Sequence, residues 1–514
     1  MNGHLTVANS GGRANIVEPL GTITKYYPFV DEETKSILGS LMEQASSYND
    51  FVLLLGETVV RNDVPFNLAY IAAVQAWWTR TEESMKMIQE KYKDEPCIRP
   101  WGHIHTTTMS DQVRYHDSVV AAIDKALETS LTDWMEIELH FLHTHFHYPA
   151  FGDVPSFSEP LEKAKNLIDS SPSLVCFQPL LHMYEGHAQG MEEHRRNGVA
   201  TLRRGLELAK TNDDKLYAYL NLEPLASDMI NYDIQESLDL FQEMYDLAQD
   251  LEVPYMTAEV LFDSALVFGF AGEYDLAISS LHEAVKIMGG DETAWVELSK
   301  IYAMLGDGQK ALEWADRAIE DAGHLEYAIL YLRKAWALAL LNRVEEAKRN
   351  LDTAYSLILN AGQERRLGVY YHVAGVIELA EGDYQTALDY LQKSQEIEDR
   401  LTVGYQNRVL LDLARVEILI AGQSKGSTQS VTPGKWLSTL EKYALDHDLP
   451  GVRMQAAMLK AEFYKNHKQF RDARAILVDA LDITDSRGVT TLKKRISDQI
   501  KEVNGLMHDE EMAS

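Results

Sequence analysis

The chain has 514 residues, of which 46% are hydrophobic and 25% are charged, a composition typical of a soluble folded protein. Its length exceeds what one compact core usually organises, and therefore predicts several domains or an elongated array of repeats. The balance of 48 Lys and Arg against 79 Asp and Glu gives a net charge of −31. Such a charge repels nucleic acids and anionic membranes and favours a basic partner.

The N-terminal segment shows no targeting pattern. It lacks the basic region and apolar core of a signal peptide, and no run in the chain approaches the ~20 apolar residues of a membrane span. We expect residues 1–30 to be mostly disordered. Cys97 and Cys176 are the two cysteines, which excludes a disulfide framework and a four-cysteine zinc module. These features predict a cytoplasmic protein without a cofactor.

Residues 31–212 are helical in pattern and lack the alternation that is typical of strands. Two clear examples are residues 67–92 and 110–130. Asp133 is typical of a helix N-cap, and Pro160 is typical of a first helical turn. We therefore interpret this half of the chain as divergent helical hairpins that continue the solenoid of the second half, and a separate helical domain is the less favoured alternative.

Four histidines lie within eight residues of the predicted helix at 132–148. At ~100° per residue, His145 points away from the other three. The residues that share one face are Glu136, His140, His143 and His147. Glu and His at spacings of three and four can converge on one ion, and neutral imidazole binds zinc, copper and nickel.

The alternative for this stripe is structural. The macrodipole favours histidines near the C-terminal end of a helix, and polar rings also line solenoid grooves without binding metal. A catalytic metal would need further carboxylates around its ligands, and only Glu136 can be placed there. The structural interpretation is favoured, so the sequence predicts no metal site.

From residue 271 onward, five segments share a turn, an alanine and a small residue seven positions later. Seven residues make about two helical turns, so both small side chains lie on one face and let a second helix approach closely. The first alanine recurs at intervals of 34, 36, 40 and 86 residues, and the last leaves room for a divergent repeat and a flexible loop at 422–434. The pairs are Ala277/Ala284, Ala311/Ala318, Ala347/Ala354, Ala387/Ser394 and Ala473/Ala480.

In the clearest segment, a bulky residue, a leucine three positions later and a tyrosine four after that precede a Gly-Asp turn and the paired alanines. These residues are Trp295, Leu298, Tyr302, Gly306 and Asp307. The pattern resembles the tetratricopeptide repeat (TPR) family over about 258–395 and 452–485. The resemblance implies helix-turn-helix units that stack into a right-handed superhelix and serve as a protein-binding scaffold.

The expected fold is therefore all-α, an α-solenoid of stacked TPR-like hairpins forming a right-handed superhelix. After the N-terminal segment, we expect divergent hairpins over 31–212, a TPR-like superhelix over 213–486, and a capping helix with an acidic tail over 487–514. The first hairpin of that superhelix, 213–250, has Ser237 where an alanine would sit.

The family pattern places the concave-surface residues beside the packing residues of each first helix. Carried over residue by residue, the partner-binding groove is predicted to consist of Phe262, Leu266, Phe270, Val296, Lys300, Leu332, Trp336, His372 and Val376. Most of these residues are apolar. Only Lys300 is basic, which disfavours the clamp of Lys and Asn with which some TPR proteins bind acidic chaperone tails.

An apolar groove admits three occupants: a partner's helix or extended peptide, the protein's own chain in a tightly wound superhelix, or a small ligand. The first is favoured. No P-loop, HExxH or GxGxxG motif is present, which disfavours an enzyme. The predicted function is a non-enzymatic scaffold that binds a protein or peptide, and the basic flanks of that partner would complement the net charge of −31. A ligand-sensing solenoid of a signalling or transcription-regulatory system is second, and a metal-dependent activity of the histidine stripe is third.

Overall fold

The structure is a computed structural model, and it describes residues 21–103, 109–147, 154–191, 195–230, 232–290, 292–323, 327–360, 366–401, 406–423, 434–487 and 490–513. Within these residues the regular elements are α-helices and three 3₁₀ turns, at Tyr27–Phe29, Arg99–His103 and Pro172–Phe177, with no strand. The α-helices are α1 (Gly21–Thr24), α2 (Glu32–Gln44), α3 (Tyr48–Arg61), α4 (Phe66–Trp78), α5 (Glu82–Lys91), α6 (Met109–Leu127), α7 (Asp133–His147), α8 (Val154–Ser170), α9 (Gln178–Met191), α10 (Arg195–Thr211), α11 (Lys215–Met229), α12 (Ile234–Leu251), α13 (Pro254–Ala271), α14 (Tyr274–Met288), α15 (Glu292–Met304), α16 (Gly308–Ala322), α17 (Ala328–Leu340), α18 (Val344–Asn360), α19 (Leu367–Glu381), α20 (Tyr384–Leu401), α21 (Gln406–Gln423), α22 (Lys435–Asp446), α23 (Pro450–Asn466), α24 (Phe470–Arg487) and α25 (Thr490–Ala513).

The chain divides into two compact units. The N-terminal unit contains the described parts of residues 21–229 and 235–261, and the C-terminal unit contains those of 230–234 and 262–513. No helix in the described ranges is both long enough and apolar enough to cross a membrane.

The hairpins of both units are joined by one kind of turn. A residue with left-handed φ follows the helix at Arg80, Asp213, Glu252, Gly272, Gly306, Asn342, Gly382, Asp448 and Lys468. The turns at Asp213, Glu252 and Asp448 lie between successive hairpins. At eight of these turns the next residue donates its N–H to the carbonyl five positions back; the Asp307 N–H, for example, reaches the Tyr302 carbonyl at 2.9 Å. This is the Schellman arrangement, which satisfies carbonyls that the end of a helix leaves without partners.

The repeated small residues lie where the two helices of a hairpin meet. Ala277, Ala311, Ala347, Ala387 and Ala473 are all 0% exposed, which confirms the predicted packing. Serine replaces alanine where its hydroxyl can bond to the facing helix: Ser394 donates to the Gly368 carbonyl at 2.7 Å, and Ser237 donates to the Ala226 carbonyl at 2.7 Å. A serine therefore fills the place of the alanine without leaving a buried polar group unsatisfied.

In the C-terminal unit the hairpins stack in order. Each first helix packs on its own second helix and on the first helix of the next hairpin, in the series α15, α17, α19, α21 and α23. The divergent repeat that the 86-residue interval predicts is the hairpin of α21 and α22. The predicted fold class is thus confirmed as all-α, with stacked TPR-like hairpins. Most of the loop predicted at 422–434 lies outside the described residues.

The last helices of the C-terminal unit return to its first ones. Helix α25 packs on α24 and α23 and also touches α14, and Arg495 donates to the Leu305 carbonyl at 2.9 Å. The backbones of Gly272 and Gly451 lie in direct contact. A Cβ on Gly451 would lie only 2.4 Å from the Gly272 carbonyl carbon, so the contact leaves no room for a side chain there. This unit therefore winds tightly enough for its two ends to touch and to enclose the space between them.

In the N-terminal unit, residues 21–26 are part of the fold. Ile23 and Tyr26 are buried, and Lys25 forms a buried ion pair with Asp214 at 3.1 Å. The Tyr26 hydroxyl donates to Glu138 at 2.8 Å. The segment expected to be mostly disordered is therefore folded from Gly21 onward by a polar network that has no local sequence signature.

Candidate functional site

A cavity of about 240 Å³ lies inside the C-terminal unit, between α15, α17, α21, α23 and α25. Its apolar lining includes Met304, Leu340 and Met458, and its charged lining includes arginines from two different helices. The charged lining residues are Arg408, Asp412, Arg415, Glu462 and Arg495. Helix α25, expected to be a polar cap, supplies Arg495 and so takes part in the cavity.

Trp336 forms the aromatic part of the lining. Its ring meets that of His372 edge to face, with centroids 4.9 Å apart. The guanidinium carbons of Arg408 and Arg333 lie 5.8 Å and 5.9 Å from its ring centroid. Because the faces of an indole ring are electron-rich, this placement holds both arginine charges beside the ring.

Helix α21 presents Arg408, Asp412 and Arg415 on one face, at spacings of four and three. Asp412 is bonded to the His372 imidazole Nε2 at 2.8 Å and to the Arg415 guanidinium at 2.9 Å. Burial lowers the pKa of His372 to about 4, so the ring is neutral at pH 7. Although burial alone would raise it, the Arg415 charge and the His372 hydrogen bond together hold the pKa of Asp412 below its usual value.

Further basic groups surround this cavity. Lys300 is 4% exposed, forms an ion pair with Glu297 and lies 5.7 Å from the Phe270 ring centroid. Burial lowers the pKa of Lys300, Glu297 opposes the shift, and the Arg333 and Arg408 charges add to it. Burial and the neighbouring Arg415 charge likewise lower the pKa of Arg495. The lining itself has three arginines, Arg408, Arg415 and Arg495, against two acidic residues, and an excess of positive charge would favour an anionic group in the cavity.

The structure separates the predicted groove residues into three sets. Trp336 lines the cavity, and Phe270, Lys300 and His372 are buried around it. Phe262 and Leu266 are half-buried and do not line the cavity. Val296, Leu332 and Val376 are 7%, 0% and 5% exposed, so they pack within the unit and offer little surface to a partner. The reason is the stacking, since each first helix is covered by neighbours on both sides.

Sequence reasoning missed the arginines. Arg333 follows a predicted groove residue directly, Arg408 and Arg415 lie in the divergent repeat, and Arg495 lies in the terminal helix. The spacing of Arg408, Asp412 and Arg415 was the available signal. It could not be assigned to the groove, because α21 carries no repeat motif that sets its register.

The histidine stripe lies on α7, with the Glu136 carboxylate 3.6 Å from the His140 Nε2. His140 is 4% exposed and His143 is half-buried, whereas the side chain of His147 lies outside the described part. Burial lowers the pKa of His140 to about 4. In the residues that the structure describes, no three His, Cys, Asp or Glu side chains are grouped so as to hold a metal ion.

No protein-family model and no curated protein matches the chain. Among solved structures, a Rap protein complexed with competence and sporulation factor is 11% identical, with a TM-score of 0.39 and coverage of 73% of this chain and 99% of that one. The structure of phAimR with its ligand is 13% identical, with a TM-score of 0.37 and coverage of 76% and 95%. A tetratricopeptide repeat protein from Parabacteroides merdae ATCC 43184 is 13% identical, with a TM-score of 0.31 and coverage of 59% and 98%.

Proposed function

We propose that this chain is a non-enzymatic TPR-like binding protein that takes a partner peptide into the cavity of its C-terminal unit. One apolar side chain of the peptide packs on Trp336, and a carboxylate, at its C-terminus or on an acidic side chain, faces Arg408 and Arg495. The observation that carries the proposal is an aromatic ring beside several arginines, within one cavity of a chain whose net charge is −31.

The energetics suit a peptide end. Hydrogen bonds between guanidinium and carboxylate groups are about twice as strong as neutral ones, and buried aromatic residues and arginines are the usual anchors of binding energy. A cavity of about 240 Å³ has room for roughly eight water molecules at ~30 Å³ each, which corresponds to about one side chain with a terminal carboxylate. The rest of the peptide lies outside, where basic flanks meet the acidic surface.

A second role, ligand sensing, is favoured by the position of α25. Arg495 and Gln499 of this helix line the cavity, while the Arg495 side chain also reaches the Leu305 carbonyl. A bound peptide that attracts Arg495 would compete with that bond and change how firmly α25 is held. Occupancy of the cavity would then alter the surface of the last hairpins, which is what a regulator requires.

The test is a calorimetric titration of the full chain with pools of six-residue peptides ending in an apolar residue, each made with a free and an amidated C-terminus. We expect binding by free-acid peptides and at least ~10-fold weaker binding by their amides, a difference of about 1.4 kcal/mol. Exchange of Arg408 for Gln should weaken the binding of a selected peptide by a similar factor.

The matched control is Arg343→Gln, because Arg343 pairs on the surface with Glu346 and lies outside the cavity. It should bind as the wild type does. Circular dichroism establishes that both variants are folded. A folded Arg408→Gln variant with unchanged affinity, or a wild-type chain that binds none of the pools, would contradict the proposal.

A further inference from the structure

A second cavity, of about 110 Å³, lies in the N-terminal unit. It is formed by the turn after α4 and by α7, α9, α11 and α13. Its lining contains four large aromatic side chains, Trp78, Tyr184, Tyr219 and Tyr255. These rings form much of the wall, and their electron-rich faces attract cations.

Two carboxyl groups, from Glu259 and Glu223, share this wall. Glu259 accepts hydrogen bonds from the Tyr219 hydroxyl at 2.7 Å and from the Tyr255 hydroxyl at 3.1 Å, which orients both rings. Glu223 makes no hydrogen bond or ion pair with any described residue. The cavity thus pairs one satisfied carboxylate with one carboxyl group that faces the empty space.

The charges around these carboxyl groups are unequal. The Arg80 guanidinium lies over the rings of Trp77 and Tyr255, at 4.8 Å and 5.8 Å, and its charge opposes the rise that burial causes in the pKa of Glu259. Burial and the neighbouring Glu259 and Asp228 charges raise the pKa of Glu223 to about 8, and no basic group counteracts them. Glu223 is therefore mostly protonated at pH 7.

The two histidines of the cavity do not supply that cation. Burial lowers the pKa of His145 and that of His187 to about 3, so both rings are neutral at pH 7. The His145 Nδ1 lies 3.3 Å from the Tyr184 hydroxyl. Arg80, His145, His187, Glu259 and Asp228 are thus the titratable neighbours of Glu223, and Arg80 is the one with a positive charge among them.

We propose that this cavity binds a small organic cation, a primary amine or a methylated ammonium, between the Glu223 carboxylate and the faces of the surrounding tyrosines. The site lies in the other unit from the peptide cavity and goes beyond the function proposed above. When the ligand enters, its ammonium stays charged, and the O–H bond of the Glu223 carboxyl breaks and releases a proton to solvent.

The chemistry of the lining selects this class of ligand. An inorganic divalent ion would need three His, Cys, Asp or Glu ligands grouped together, and no such group occurs in the part of the chain that the structure describes. An anion would meet two carboxyl groups. The volume corresponds to roughly four water molecules at ~30 Å³ each, which limits the ligand to a small ion of about five to seven non-hydrogen atoms.

The test is isothermal titration calorimetry of the full chain at pH 7 with choline, tetramethylammonium and putrescine. The neutral choline isostere 3,3-dimethylbutan-1-ol, potassium chloride and magnesium chloride serve as comparison probes. We expect one or more of the organic cations to bind with a stoichiometry near one, and the comparison probes not to bind. In buffers of different ionisation enthalpy, binding should release close to one proton, and the release should vanish well above the pKa of Glu223.

Glu223→Gln keeps the size of the side chain and removes its charge. We expect this variant to bind the organic cation at least ~10-fold more weakly than the wild type and to release no proton on binding. Its matched control is Glu243→Gln, at a half-exposed carboxylate that pairs with Lys210 on the surface, which should bind as the wild type does. Thermal unfolding followed by circular dichroism should show that Glu223→Gln melts no lower than the wild type, because the variant removes a buried acid.

Three results would overturn the proposal. The first is that none of the organic cations binds the wild type. The second is that a folded Glu223→Gln variant binds with wild-type affinity, and the third is that the neutral isostere or an inorganic cation binds as well as the amines do. None of these results depends on the peptide experiment, because the variants and probes address different cavities.

Discussion

In the C-terminal unit, the turns between helices have either glycine at the left-handed position, at Gly272, Gly306 and Gly382, or a residue with a side chain, at Asn342, Asp448 and Lys468. In the described N-terminal unit, the corresponding turns have Arg80, Asp213 and Glu252. The backbone makes the same turn in both cases, but an L-residue with a side chain costs ~1–2 kcal/mol in this conformation. A glycine at the turn is therefore one signal of the TPR-like pattern in the C-terminal half of the sequence, and the repeats at Asn342 and Lys468 are recognised by their paired alanines instead. The hairpin depends on the turn conformation of the backbone and on small residues between its two helices. Glycine followed by aspartate is the sequence that makes this turn with the least strain.

The cavities of the two units differ in the ionisable groups of their linings. The cavity of the C-terminal unit has three arginines against two acidic residues in its lining, and the cavity of the N-terminal unit has two carboxyl groups against one arginine. The same stacking of helices thus produces cavities with different linings, because the groups that line a cavity are not those that form the hairpin.

The largest expected difference between the units is their response to acid. In the N-terminal unit, burial lowers the pKa of His140 to about 4 and the pKa values of His145 and His187 to about 3. In the C-terminal unit, burial lowers the pKa of His372 to about 4. A histidine in the unfolded chain has a pKa of ~6.5. Above that pH the buried neutral histidines therefore cost the folded state no stability relative to the unfolded state. Stability is lost as the pH falls through the window from 6.5 to about 3–4, at ~1.4 kcal/mol per pH unit for each group.

The raised pKa of Glu223 acts in the opposite sense, because a carboxyl group that holds its proton more tightly in the folded state adds stability as the pH falls from about 8 to its unfolded value. The raised pKa values of Glu138 and Glu259 have the same direction. We therefore expect Glu223→Gln to steepen the loss of protection of the N-terminal unit as the pH is lowered from 6.5 to 4, and His187→Gln to reduce that loss, as followed by hydrogen exchange of peptides from each unit. Protection of the C-terminal unit should be the same in both variants, and an acid response that neither variant changes would contradict the expectation.

Trp336→Ala should have the next largest effect, a loss of ~3–5 kcal/mol. Trp336 is 3% exposed and belongs to a core cluster with Leu332 and Val376, so its removal leaves a void between hairpins. Hydrogen exchange should rise in α17 and α19 and stay unchanged in the N-terminal unit.

Trp336→Phe keeps an aromatic ring in the cavity and separates folding from binding. We expect this variant to remain folded and to bind a selected peptide with reduced affinity, up to ~30-fold weaker, since ~2 kcal/mol is roughly that factor. A folded variant that binds the peptide with wild-type affinity would show that the peptide does not bind against Trp336.

Ala311→Leu and Ser237→Leu should each cost ~1–3 kcal/mol, because both side chains are 0% exposed between the helices of a hairpin. Ser237→Ala should cost less, ~0.5–1.5 kcal/mol, through the lost bond to the Ala226 carbonyl. Urea unfolding measures both. A tolerated Ser237→Leu would mean that the hairpin of the N-terminal unit is packed differently from its TPR-like counterparts.

The smallest effects are expected at the turns. Glu252→Gly and Lys468→Gly should each stabilise the protein by ~0.5–1 kcal/mol, because relief of the left-handed strain exceeds the entropic cost of glycine. Gly306→Ala should destabilise it by ~1 kcal/mol. Melting temperatures of the three variants test whether the turns of both units obey the same energetics, and opposite signs for Glu252 and Lys468 would show that they do not.

Local features explain what could be predicted from the sequence. The helices, the Gly-Asp turns and the paired small residues each depend on neighbours within a few positions. The divergent repeat could be counted because helical repeats have a characteristic length, even though α21 and α22 carry little of the motif. The aromatic part of the peptide cavity was also accessible, since Trp336 holds a motif-defined position in its repeat.

By itself, then, the sequence determined the all-α class, the hairpins of the C-terminal half and the buried alanines, because period and side-chain size act within one helix or between two successive ones. Only the tertiary structure decided that Arg495 reaches Leu305, that Gly451 touches Gly272, and that Glu223 faces a cavity shared with Arg80 and His145. These contacts join residues far apart in the chain, and they depend on how many hairpins stack and how tightly they wind. That winding is the sum of small rotations between neighbouring hairpins, which no single stretch of sequence encodes.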